Sequence, residues 1–65
     1  MQIKDIYKMN NSEIARYYYE LSKFVNPEKA TVKAIRQILT KANTDEELNR
    51  LLTEADNKLL RELEK

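Results

Sequence analysis

The chain has 65 residues, with no Cys, His, Trp or Gly and a single Pro. That length allows one small domain, and a chain of this size buries only about 60% of the surface it exposes when unfolded. The missing residue types exclude disulfides, ordinary zinc, copper or iron sites, and any phosphate loop built on Gly. Lys and Arg number 12 against 11 Asp and Glu, for a net charge of +1. The balance hides an asymmetry: residues 1–42 sum to +4 and residues 43–65 to −3.

At the N-terminus, Ile3, Ile6 and Tyr7 share a face, which is compatible with a short helix near 2–9. The opening residues lack the unbroken apolar stretch of a signal peptide, and no apolar run approaches a membrane span. The expected location is therefore the cytoplasm.

Asn10, Asn11, Ser12 and Glu13 supply the first strong helix start, since Asn accepts well from the free N–H groups of a first turn. The predicted helix spans about 12–25, with Ile14, Tyr17, Tyr18, Leu21, Phe24 and Val25 on one apolar stripe. Asn26-Pro27-Glu28 is the second start, with Asn26 as cap and Pro27 at the first helical position. The helix it opens spans about 27–42, with Val32, Ile35, Ile38, Leu39 and Ala42 apolar and Ala34 at the margin. Thr44-Asp45-Glu46-Glu47 is the sharpest start, with Thr44 as cap and Glu47 reaching back to it. The third helix spans about 45–64, its stripe formed by Leu48, Leu51, Leu52, Ala55, Leu59 and Leu63. Strand-like alternation is absent. Residues 1–65 therefore read as one all-α domain, a small three-helix bundle with short linkers.

Side chains that the core does not use carry the functional reading. Tyr19 lies about 140° around the helix from Ile14, toward solvent, with Arg16 one turn before it and Lys23 one turn after. Tyr and Arg are enriched where interfaces draw their energy. On the second helix the polar arc holds Lys29, Lys33, Arg36 and Lys41, and no acidic residue occurs between Glu28 and Asp45. A face of one sign suits an acidic protein surface or nucleic-acid phosphates. The third helix instead alternates Glu46, Arg50, Glu54 and Lys58, which can pair along its own surface. Leu60 stands off that helix's stripe and is a candidate for self-association.

The spacing from Tyr18 to Arg36 also fits a DNA-binding helix–turn–helix. Leu21 and Val25 would close its first helix, Asn26 would occupy the turn, and Val32 and Ile35 would be buried in the second. Ser22 and Pro27 depart from that pattern.

Catalytic chemistry finds no support. Ser12 and Ser22 have no His partner, and capping accounts for the acidic cluster at 45–47, which also lacks the spacing and Gly of a calcium loop. A bundle this small leaves little room for a ligand cavity of ~300 Å³ or more. No residue is assigned a catalytic, metal-binding or cofactor role. The expected function is a non-enzymatic protein-binding module, such as a regulator, inhibitor or accessory subunit, existing as a monomer or weak homo-oligomer. Its contact surface is expected to be Arg16, Tyr19, Lys23, Lys29, Lys33, Arg36 and Lys41. The alternatives are a nucleic-acid-binding module and a designed or purely structural bundle without a specific partner.

Overall fold

The computed structural model describes residues 5–64. Three α-helices, α1 (Asn11–Ser22), α2 (Lys29–Ala42) and α3 (Glu46–Leu63), follow a short 3₁₀ turn at Ile6–Lys8. No strand occurs among the described residues. The chain forms the expected all-α three-helix bundle.

The predicted N-terminal helix survives only as that turn, and its portion at 2–4, with Ile3, lies outside the described residues. Asp5 caps the turn by accepting from the Tyr7 N–H at 3.1 Å. A 3₁₀ helix advances about 120° per residue, so neighbours point in different directions. Ile6 is buried in the core, whereas Tyr7 stands exposed.

Helix α1 starts where Asn10 Oδ1 accepts from the Glu13 N–H at 2.8 Å. It ends at Ser22, three residues earlier than the periodicity predicts. Residues 23–28 form the connection to α2, in which Pro27 disfavours a helical backbone at Asn26. Phe24 and Val25, expected in the core, are exposed on the connecting segment, Val25 to 90%.

Helix α2 also differs from expectation at its start. Glu28, not Asn26, occupies the cap position, and its side chain makes no capping hydrogen bond. Pro27 lies outside the helix. The buried face is rotated as well: Thr31, Ala34, Ile38 and Ala42 point inward, while Val32 and Leu39 are exposed and Ile35 is half-buried. Small residues at the centre let α2 approach the bulky Tyr17 and Tyr18 of α1, which share the core with Ala34 and Ala42. Ile38 is the one large side chain at the centre of this face, and Val32 and Leu39 are left at the flank.

At the third start the cap is Asp45, one residue beyond the expected Thr44. Asp45 Oδ1 accepts from the Leu48 N–H at 3.2 Å, while the Thr44 hydroxyl turns back to the Lys41 carbonyl at 3.1 Å and closes α2. Leu48 and Leu52 are buried, and Leu51, Ala55 and Leu59 are half-buried. Leu63 is 81% exposed.

Three side-chain contacts set the direction of packing. Asn11 Nδ2 donates to Asp45 Oδ2 at 3.2 Å, Tyr18 Oη to Asp56 Oδ1 at 2.7 Å, and Tyr19 Oη to Glu62 Oε1. Both numbers rise together, so α1 and α3 run parallel and α2 returns the chain between them. Contact is most extensive between α1 and α3. Leu63, in the last turn of α3, is left uncovered.

Candidate macromolecular contact surface

The expected contact residues fall into two separate grooves. Arg16, Tyr19 and Lys23 line one of about 610 Å³ between α1 and α3, together with Glu20, Glu54 and Lys58. Lys29, Lys33 and Arg36 line another of about 520 Å³, formed by the outer face of α2 and Tyr7. Both exceed the volume expected of so small a bundle, but both are open clefts and neither is an enclosed cavity. Lys41 lines neither groove.

Tyr19 does not project freely into solvent as its helical angle implied. The longer α3 runs alongside it and brings Glu62 to its hydroxyl. Its ring is flanked by Lys23 Nζ at 4.3 Å and Lys58 Nζ at 4.8 Å from the centroid. Arg16, one turn before Tyr19, pairs with Glu20 at 3.8 Å. The hydrogen bond to Glu62 raises the Tyr19 pKa above its usual value, with desolvation adding to the effect. Tyr19 is thus engaged by its own chain, as a clasp between two helices. With Glu20 and Glu54 beside the cations, this groove mixes both signs of charge.

The α2 groove differs in kind. Its lining side chains are Tyr7, Lys29, Val32, Lys33, Arg36, Gln37 and Thr40, with no carboxylate among them. Lys29 and Lys33 are one helical turn apart, and Arg36 is the next position on that face. Tyr7 is 69% exposed and Val32 is exposed beside it, so an apolar strip lies among three cations. The sequence reading missed Tyr7 because a helical period placed it beside Ile6 on a buried face. The one signal available was Asp5, whose spacing before Tyr7 favours a tight capped turn.

Lys41 serves the α2–α3 connection. Its carbonyl accepts from both the N–H and the hydroxyl of Thr44. Its ammonium helps to hold Asp45 below the usual carboxylate range, behind the larger effects of the Leu48 N–H and the Asn11 amide.

The segment at 18–36, offered as an alternative helix–turn–helix, departs from that motif's geometry. Six residues separate α1 from α2, no described residue has a positive φ at the turn, and Val25 and Val32 are exposed where that motif needs them buried. Among the described residues, no three carboxylates gather as a metal site. No helix there is long and apolar enough to cross a membrane. Comparison with known proteins returns no match among family models, curated proteins or solved structures.

Proposed function

We propose that this protein is a non-enzymatic, cytoplasmic binding module whose α2 groove receives an acidic segment of a protein partner. The observation that carries this reading is the contrast between the two grooves. Around Tyr19 the charges are mixed and the aromatic ring is engaged internally. Around Tyr7 and Val32 three cations stand with no lining carboxylate. An exposed aromatic ring supplies apolar area at low entropic cost, and flanking cations steer and orient an anionic partner. The first turn of α2 carries Lys29 and no acid, the nearest carboxylate being Glu28 at the cap, outside the groove. A small regulator or accessory subunit would act in this way.

A protein partner is favoured over nucleic acid because the site pairs its cations with an apolar strip and lacks a helix–turn–helix frame. The test is a fluorescence titration with a short Asp/Glu-rich peptide bearing one Leu, run beside duplex and single-stranded DNA of equal charge. The peptide is expected to bind more tightly than either DNA. Reversal of Lys33 and Arg36 to Glu should weaken it by about tenfold or more. Tighter binding of DNA by the same residues would overturn the protein-partner reading.

A further inference from the structure

The second large exposed apolar feature lies on α3. Leu60 is 57% exposed and Leu63 is more open still. Side chains three and four residues apart are neighbours on a helix surface. Around Leu60 those positions are Asp56, Asn57, Leu63 and Glu64, so the edge is apolar and acidic there, with the cation Arg61 flanking it on one side. It is the converse of the α2 groove, where Tyr7 and Val32 sit among Lys29, Lys33 and Arg36. The dimensions also agree. At 1.5 Å per residue, Asp56 and Glu64 are about 12 Å apart along α3, and Lys29 and Arg36 about 10 Å along α2. Both surfaces are exposed in the single chain, so neither covers the other internally.

We infer that the occupant of the α2 groove is the Leu60–Leu63 edge of α3 from a second copy of this chain. Leu60 and Leu63 lie against Tyr7 and Val32, and Glu64, with the second carboxylate oxygen of Asp56 whose Oδ1 accepts from Tyr18, faces the cations of α2. This deepens the reading above and rests on it, since the same groove serves an outside acidic segment and a second copy in competition. Self-association therefore masks the groove, and an acidic partner releases it.

Sedimentation velocity over a concentration series up to the millimolar range tests the inference. The expected result is a mass that rises with concentration and falls as salt or the acidic peptide is added. Two charge reversals make the test specific. Lys33→Glu, Arg36→Glu makes the groove acidic, and Asn57→Lys, Glu64→Lys makes the α3 edge basic. Each variant alone should be monomeric, and their equimolar mixture should associate again, because each groove then meets an edge of opposite sign. Circular dichroism establishes that both remain helical. A wild-type chain that stays monomeric throughout while still binding the peptide overturns the self-association and leaves the groove reading intact. A chain that associates without binding the peptide, with neither reversal reducing its mass, overturns both.

Discussion

The Tyr18 hydroxyl on α1 donates to the Asp56 carboxylate on α3 at 2.7 Å, joining residues 38 positions apart. Desolvation of the phenol and this hydrogen bond together raise the Tyr18 pKa above its ordinary 10.0. The ring belongs to the core and its polar end reaches the rim, where the exposed Asp56 accepts it. One side chain thus fills the interior and orients the parallel pair.

Removing that hydroxyl should weaken the fold modestly. Tyr18→Phe keeps the ring and is expected to cost about 0.5–1.5 kcal/mol, measured by urea unfolding at neutral pH. The pH dependence has a definite sign. A phenol with a raised folded pKa holds its proton longer when folded, so its contribution is fully present below pH 10 and is lost as pH climbs through the folded value. Stability of the wild type should therefore fall more steeply above pH 10 than that of Tyr18→Phe. Parallel curves would show that the phenol contributes no such linkage.

Asp45 gives the opposite dependence at the acid end. Its carboxylate accepts from the Leu48 N–H and the Asn11 amide, which hold its pKa below 3.8. The stabilisation is present above the unfolded value and disappears as pH falls through the folded one. Asp45→Asn keeps a capping oxygen without the charge. Its acid unfolding profile should be flatter than that of wild type between about pH 4 and 2. An unchanged profile would remove Asp45 from the acid transition.

The rotated face of α2 separates two adjacent residues. Ile38 is fully buried and Leu39 is 49% exposed. Ile38→Ala should cost about 2–5 kcal/mol through lost burial and the cavity left behind, with Leu52→Ala in the same range. Leu39→Ala should cost about 1 kcal/mol or less. Equal losses at 38 and 39 would mean that the face is not turned as described.

The two tyrosines outside the core should behave differently in peptide titrations. Tyr7→Ala removes the exposed ring of the α2 groove and is expected to weaken binding of the acidic peptide by about tenfold, near 1.4 kcal/mol. Tyr19→Phe removes only the hydroxyl that reaches Glu62 and should leave that affinity unchanged while lowering the unfolding midpoint. An affinity that depends on Tyr19 and not on Tyr7 would move the contact surface to the α1–α3 groove.

Local patterning by itself determined that this chain is helical, that it has three long helices, and roughly where they start and stop. Period, capping residues and the single Pro are properties of short segments, and they act wherever those segments occur. A cap at Asn10 or Asn11, the burial of Ile14, Leu21, Ile38 and Leu48, and the basic face at Lys29, Lys33 and Arg36 were all legible in this way, and the structure takes Asn10. The absence of Cys, His and Gly likewise removed whole classes of chemistry before any fold was known.

Only the tertiary structure decided which side of each stripe faced inward. Packing three helices around bulky Tyr17 and Tyr18 turned the Thr31, Ala34, Ile38 and Ala42 face of α2 inward and left Val32 and Leu39 outside. The parallel course of α1 and α3, set by contacts between residues 34, 38 and 43 positions apart, brought Glu62 and Lys58 to Tyr19 and turned an expected surface residue into a clasp. The short 3₁₀ turn placed Tyr7 against α2, completing a groove that no local pattern contained. A helical wheel describes one element against an unspecified neighbour, whereas exposure depends on the volume, length and direction of the helices that arrive beside it.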